Sequence, residues 1–385
     1  MKEAILYQKL PGGKVRCGVC QRRCLISEGG VGYCKTRINR GGKLYTTIYG
    51  VVSSLNNDPI EKKPVFHFAP GSLCLSAGTF GCNFKCLFCQ NYDISWADGV
   101  AEAQYGQKIS PQQLVDLAYK YRSAGIAITY NEPAIWLEYS LDVFKKIQNS
   151  KSKIQNKSKI QNPKSKIRNS QSARLPARQA IRNHLYTVWV TNGYATPEAI
   201  DLIAPYLDVY RVDLKSFDDK FYQKLINVPK AAPIFQTTKY LHDKYPNIHI
   251  ECVTNIIPNW NDSPEMLAKI AHWIVKNLGE KTPWHVTRFF PYAKLTDVPP
   301  TPPETLYKAR EIGLKEGLKF VYIGNLPVDS EDDTFCPKCG NLAIRRDGYS
   351  TQVLAVTPEG KCLKCGEDLN IKIKNEEISG SCIES

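Results

Sequence analysis

No apolar run in the chain approaches the roughly 20 residues that a membrane-spanning helix needs, which argues against an integral helical membrane protein. The opening stretch, MKEAILYQKLPGGK, has no apolar core of the secretory kind, and a cytoplasmic location is expected. Acidic residues are missing altogether from Lys151 to Arg182, where ten Lys or Arg fall; with a formal net charge of +14, this leaves +4 for the rest. The basic balance is therefore local, and it does not mark the whole chain as a nucleic-acid binder. The same stretch runs KSKIQN, KSKIQN, then KSKIRN. With one Ile per unit it cannot bury enough surface to offset the entropy of ordering, so a disordered basic insertion is expected over 149–183. A tether for RNA or acidic partners is its functional alternative.

What the chain has in abundance is cysteine, fourteen in 385 residues. Without an export signal, that number argues for metal binding over disulfides. Eleven fall into three groups: Cys17, Cys20, Cys24 and Cys34; Cys82, Cys86 and Cys89; and Cys336, Cys339, Cys362 and Cys365. Cys74, Cys252 and Cys382 stand alone and read as buried thiols or a tail residue.

Between the first and last groups, short apolar runs alternate with amphipathic stretches, the rhythm of βα units. Strands are expected at IAIT (126–129), YTVWVT (186–191), VYRVDL (209–214), HIECVTNII (249–257), VTRFF (286–290) and FVYIG (320–324). Ser110-Pro111, Thr196-Pro197, Ser263-Pro264 and Pro302-Pro303 read as helix starts, and the first of these helices should close on Gly125. A further helix should begin at Pro133. Six or seven parallel strands with helices outside imply an α/β fold, a complete or partial (β/α) TIM-like barrel, with a doubly wound sheet as the competing architecture. Chemistry in such folds collects at the C-terminal strand ends. There the sequence places Thr129 to Pro133, Thr191 to Gly193, Asp213 to Lys215, Thr254-Asn255, Arg288 and Asn325, which together suggest a lined pocket.

Three cysteines at C-x3-C-x2-C are an odd way to build a structural zinc site, which wants four ligands. They suit a [4Fe-4S] cluster, because three thiolates on three irons leave the fourth iron open. The stretch Cys82-Asn83-Phe84-Lys85-Cys86-Leu87-Phe88-Cys89 resembles the signature of radical S-adenosylmethionine enzymes, including the aromatic before the third cysteine. The resemblance implies Cys82, Cys86 and Cys89 as catalytic cluster ligands, S-adenosylmethionine on the free iron, and Phe88 near its adenine. Asn131-Glu132-Pro133 stands where that family usually has Gly-Gly-Glu-Pro, so Glu132, and with less of a match Asn131, are implied to contact the methionine amino group. Thr191-Asn192-Gly193 and Asp213-Leu214-Lys215 resemble strand-end motifs of pyruvate formate-lyase activating enzymes, which makes Asn192, Asp213 and Lys215 candidates for the cofactor pocket.

Longer stretches, among them CGVCQRRCLISEGGVGYC, TYNEPAIWLEY, NIIPNWNDS and VYIGNLP, are similar to the AmmeMemoRadiSam system radical SAM enzymes. This similarity implies a radical SAM oxidoreductase of the activating-enzyme kind, a flavodoxin- or ferredoxin-like electron donor, and Memo-like and AMMECR-type protein partners. Radical modification of a small molecule or tRNA is one alternative, and a non-enzymatic multi-metal module binding RNA or protein is another.

The first cysteine group, Cys17-x2-Cys20-x3-Cys24-x9-Cys34, has thiols enough for structural zinc or for a second iron-sulfur cluster. Spacing does not decide, and zinc is taken as the slightly better fit. The last group carries two Cys-x2-Cys-Gly knuckles and reads as a zinc ribbon. The expected layout is a Cys-rich metal-binding segment over 1–60, a radical SAM core over 61–330, a zinc-ribbon-like module over 331–370 and a tail over 371–385.

Overall fold

The computed structural model describes residues 1–160, 185–326 and 332–374. Its centre is an eight-stranded sheet built of β1 (Ser54–Pro59), β2 (Leu73–Gly78), β3 (Gly125–Ile128), β4 (Tyr186–Thr191), β5 (Val209–Asp213), β6 (His249–Ile256), β7 (Trp284–Arg288) and β8 (Val321–Gly324). The strands neighbour one another in chain order, β1 antiparallel to β2 and all others parallel. A doubly wound sheet reverses its strand order part-way. This one never does, so it is not doubly wound. Nor is it a closed barrel, because β1 and β8 are the two edges and do not pair.

The helices between the strands are α1 (Pro111–Lys120), α2 (Leu137–Ile160), α3 (Pro197–Ile203), α4 (Ala232–Lys244), α5 (Pro264–Leu278) and α6 (Pro303–Lys315). Ser110 caps α1 in a capping box with Gln113, and the hydroxyls of Thr196 and Ser263 accept from the backbone of Ala199 and Met266. In each case a proline follows at the first helical position, where its missing N–H costs nothing. The α1 helix stops at Lys120, short of the expected Gly125, with Arg122 left-handed at φ 55°. Gly125 instead opens β3 against the Tyr186 ring, where a Cβ would stand 2.2 Å from ring carbons. A 3-10 turn over Pro133–Trp136 precedes α2. That helix runs on through Ile160, past the expected start of the basic insertion; 161–184 lie outside the described residues. Among the described residues no helix is long and apolar enough to cross a membrane.

Side chains alternate along the strands, so one face of the sheet carries Val190, Arg211, Asp213, Val253, Asn255, His285 and Thr287. All of these line a single cavity of about 450 Å³. The N-terminal ends of the same face are closed by the segment around Phe66 and His67. Both backbone N–H groups donate to the buried Glu251 carboxylate, at 2.8 to 3.0 Å, and His249 and His285 hold it from the side at 2.9 and 2.7 Å. Burial alone would push this carboxyl up; the two imidazoles more than reverse that and hold it well below its usual range.

On the outer side of this plug sits the C-terminal module, an antiparallel sheet of Thr334–Phe335, Leu342–Asp347 and Ser350–Val353. Its Ala343, Ile344, Leu369 and Ile371 share a core with Phe66, Phe320 and Tyr322. Lys372 still hydrogen-bonds to His67 and Ala69, so the chain remains pinned past 371, the expected start of the tail. At the other end, two small three-stranded sheets formed by residues 2–46 are tied to α2 by Arg37, whose guanidinium meets both oxygens of Glu138 at 2.7 and 2.9 Å with both side chains buried. The expected N-terminal segment ends inside this architecture, since β1 at 54–59 already belongs to the central sheet.

The plug makes the fold acid-sensitive. His67 Nδ1 faces the Leu369 carbonyl at 3.0 Å, so that nitrogen carries the proton, and Nε2 accepts from Tyr322 Oη at 2.6 Å. Burial lowers its pKa to about 3. An unfolded histidine takes up its proton near pH 6.5 while the folded one stays neutral, so stability falls as pH drops through that window, by up to about 1.4 kcal/mol per pH unit for one proton. Thermal midpoints measured from pH 7.5 to 5 should decline less steeply in His67→Gln than in the parent. Identical slopes would show that His67 titrates normally in the fold.

Candidate metal and cofactor centre

The loop after β2 carries the three central cysteines into the cavity, and Cys82, Cys86, Phe88 and Cys89 all line it. Backbone pairing fixes the loop from both sides. Lys85 and Leu87 donate to the carbonyls of Ile226 and Leu225, and the Leu87 carbonyl accepts from Lys294 and Leu295. From the end of β3, the Asn131 amide reaches across and donates to the carbonyls of Thr79 and Gly81 at 2.8 and 2.7 Å. Gly81 itself has φ +84°, and a Cβ there would stand 2.5 Å from the Cys34 carbonyl oxygen, so only glycine fits where the N-terminal segment touches this loop.

Glu132 is buried and accepts hydrogen bonds from Thr191 Oγ1 at 2.8 and 3.0 Å, from the Asn192 N–H at 2.8 Å and from the Ala134 N–H at 3.0 Å. Burial raises its carboxyl to about 7 against those donors. Asn192 Nδ2 donates to Asn83 Oδ1 at 2.8 Å. The end of β4 is thereby joined to the middle of the cysteine loop. Along β5 and just past its end, the cavity face carries Arg211, Asp213 and Lys215. Asp213 accepts from Arg211 and, at 2.9 Å, from Lys215. Burial opposes its ionisation, and the two cations outweigh burial and hold the carboxyl below its usual range. The Lys215 ammonium also stands 5.6 Å over the Phe88 ring, which lies between Phe221 and Phe289.

Of the strand-end residues singled out in the sequence, Thr129, Tyr130, Asn131, Glu132, Thr191, Asn192, Asp213, Lys215, Asn255 and Asn325 line the cavity. Thr254 and Arg288 do not: Thr254 bonds the Leu214 carbonyl and the Trp284 indole, and Arg288 bonds the Thr301 carbonyl. Pro133, Gly193 and Leu214 are also absent from the lining. Arg211, His285, Phe66 and Tyr349 line it without having been anticipated. The signal for Arg211 was present, because Arg211, Asp213 and Lys215 alternate and so share one face of a strand.

The central thiols cannot be comfortable as free thiolates. Burial pushes Cys86 up to about 12 and also holds Cys82 well above the usual thiol range. A metal that replaces the protons removes that penalty. Asn131 Oδ1, which lines the same cavity, is buried with no hydrogen-bond partner. It is an acceptor left for a bound ligand, and a ligand ammonium is a suitable donor.

A profile of the radical SAM superfamily matches residues 77–274, just over half of the chain. The chain belongs to this superfamily. An uncharacterized protein of Methanocaldococcus jannaschii is 38% identical over 372 residues, 96% of this chain and 99% of that one. The pyruvate formate-lyase 1-activating enzyme of Escherichia coli K12 is 20% identical over 261 residues, 63% of this chain and 89% of that one. Among solved structures, a radical SAM methyltransferase of Sphaerobacter thermophilus aligns with 66% of each chain at 13% identity and a TM-score of 0.44. Membership implies a [4Fe-4S] cluster and S-adenosylmethionine. The residues present fit both: three thiols facing one cavity, Cys82 buried and Cys86 and Cys89 half-buried, with an unpaired acceptor and a buried carboxylate beside them.

The C-terminal cysteines form a different kind of site. The sulfurs of Cys336, Cys339, Cys362 and Cys365 all lie within 4.8 Å of one another and could hold a single metal ion. Each knuckle closes as its glycine predicts: Gly340 and Gly366, at φ +67° and +73°, donate to the carbonyls of Cys336 and Cys362. A hydrogen bond from the Asn341 backbone lowers the Cys339 thiol. Of the lone cysteines, Cys74 and Cys252 are buried, and Cys382 lies outside the described residues.

Asn131→Ala removes both hydrogen bonds that hold the cysteine loop to β3, a loss of about 1–3 kcal/mol of loop anchoring. The variant should fold normally and retain less iron after anaerobic reconstitution and desalting. Full iron retention would show that the loop holds its shape without Asn131.

Proposed function

We propose that this chain is a radical SAM oxidoreductase of the activating-enzyme kind, belonging to the AmmeMemoRadiSam system group, with Cys82, Cys86 and Cys89 as the ligands of its catalytic cluster. When bound, the reduced [4Fe-4S] cluster would supply the electron that cleaves S-adenosylmethionine to methionine and a 5'-deoxyadenosyl radical for hydrogen abstraction. The observation that carries the reading is the thiol count. Among the described residues lining the cavity only three are cysteines, so a cubane held there keeps one iron for an outside ligand.

The protein groups then divide the work by their chemistry. Asn131 Oδ1 and the Glu132 carboxylate receive the amino group of the cofactor, and Asn192 sets the end of β4 beside the cysteine loop. Phe88 offers an apolar surface for the adenine. Lys215 and Arg211 give the cavity a cationic wall on which a carboxylate can rest, with Asp213 holding both side chains in place. Phe290 and Tyr349 are exposed and line the same cavity, so an aromatic rim is available to a protein segment, as activation of a glycyl radical enzyme requires. The cofactor cavity, the parallel sheet and the buried polar wall favour this enzyme over a metal-bearing RNA- or protein-binding module. The C-terminal module is a zinc ribbon in this reading. The electron donor is flavodoxin- or ferredoxin-like, and Memo-like and AMMECR-type proteins are the partners.

Anaerobic protein given dithionite and S-adenosylmethionine should form 5'-deoxyadenosine, read by chromatography. Cys86→Ala should lose at least about a hundredfold of that product, since two thiolates no longer secure the cluster, while keeping its C-terminal metal. Product formation by Cys86→Ala at the parent rate would remove the cluster assignment.

A further inference from the structure

The first cysteine group has no role in the reading above, and the fold places it beside the catalytic loop. Cys17, Cys20, Cys24 and Cys34 line one small cavity with apolar walls from Val19, Ile26 and Ile135. All four thiols therefore face the same space, although no disulfide links them.

Their separation distinguishes the two metals that spacing left open. Four thiolates on one zinc stand about 3.8 Å apart, set by the tetrahedral Zn–S distance of about 2.3 Å. Thiolates on a four-iron cube stand roughly 6 Å apart, because each is carried outward on its own iron. Among the described residues, only the C-terminal four cysteines form a set of three or more His, Cys, Asp or Glu ligand atoms all within 4.8 Å of one another. Every trio drawn from Cys17, Cys20, Cys24 and Cys34 thus contains a wider pair. The Cys82, Cys86 and Cys89 set, whose family ligand is a cube, is wide in the same sense. One molecule therefore contains both a narrow set and a wide set for comparison, and the N-terminal group goes with the wide one.

The walls of this cavity carry unpaired donors as well. Arg37 and Asn83 both line it, and Arg37 Nε and Asn83 Nδ2 are buried with no hydrogen-bond partner. Cluster sulfurs are acceptors that take such N–H groups. The guanidinium of Arg37 is otherwise fixed by Glu138, so its free N–H is held in place. The Cys34 hydrogen bond to Thr36 Oγ1 at 3.1 Å tethers the fourth thiol.

We propose that Cys17, Cys20, Cys24 and Cys34 hold a second [4Fe-4S] cluster, and that the slightly favoured zinc is the wrong metal for this site. The second cluster is fully ligated by protein and so has no iron open to S-adenosylmethionine. It abuts the catalytic loop through Asn83, which lines its cavity and bonds Asn192 in the other, and through the contact of Cys34 with Gly81. The N-terminal segment is also stitched to the end of β4, where Gln21 donates to the Tyr194 carbonyl and Thr196 Oγ1 donates to the Gly18 carbonyl. Loss of this cluster should loosen the whole segment that buttresses the catalytic loop.

The test is metal content of the full chain. A Cys82→Ala, Cys86→Ala, Cys89→Ala triple variant, reconstituted anaerobically, should keep about four irons and four sulfides, against about eight of each in the parent. Zinc should be about one per chain and should vanish in Cys339→Ser, Cys365→Ser. A second zinc that survives that double change overturns the proposal, and so does a folded triple variant that binds no cluster. If the triple variant is insoluble, Mössbauer spectra of the parent decide. Two four-iron components are expected, only one of which responds to S-adenosylmethionine; a single component that does respond overturns the proposal. A parent with one unresponsive cluster that survives the triple change would instead count against the catalytic reading and leave this one standing.

Discussion

Two adjacent side chains at the end of β3 hold the centre together. Asn131 spends both amide protons on the carbonyls of the cysteine loop, and Glu132 gathers the hydroxyl of Thr191 and the N–H groups of Ala134 and Asn192. The first fixes the metal loop above the sheet and the second fixes the neighbouring strand end. Glu132 is buried and Asn131 half-buried, so giving up these partners would leave Glu132 with unpaired acceptors and would free the cysteine loop from β3. The cavity between them is therefore preformed, and it keeps a free acceptor, Asn131 Oδ1, and a carboxylate whose burial makes it receptive to a cation.

The three cysteine groups show how the same side chain is given different work by its surroundings. In the C-terminal knuckles, tight glycine turns gather four sulfurs into the span of one ion. On the loop after β2 three sulfurs open toward a large polar cavity. In the N-terminal pocket four sulfurs face a small space with apolar walls and two unused N–H groups. Burial opposes thiolate formation at Cys82, Cys86 and Cys89 and at Cys17 and Cys20. The folded chain thus carries a standing cost that bound metal relieves.

Much of this was legible in the residues. The six anticipated strands exist, the caps followed by proline open helices where expected, and most of the polar strand ends reach one cavity. The strand Leu73–Gly78 escaped notice because LCLSAG is small and lacks β-branched residues, so its pattern does not announce a strand. Ser54–Pro59 was missed because SLNNDP is polar and ends in proline, which only an edge position tolerates. The helix Ala232–Lys244 has no capping side chain and carries two threonines. Choice of metal for the N-terminal cysteines was beyond the sequence, because distances between sulfurs depend on how two small sheets fold and dock. The openness of the sheet was likewise a matter of which edges meet.

The central claim is that Cys82, Cys86 and Cys89 leave one iron of their cluster open and that S-adenosylmethionine takes it. The most direct measurement is electron-nuclear double resonance on the reduced protein with S-adenosylmethionine labelled with nitrogen-15 at the amino group and oxygen-17 at the carboxylate. The account predicts hyperfine coupling from both labels. Absence of coupling in a sample shown to bind the labelled cofactor would contradict it.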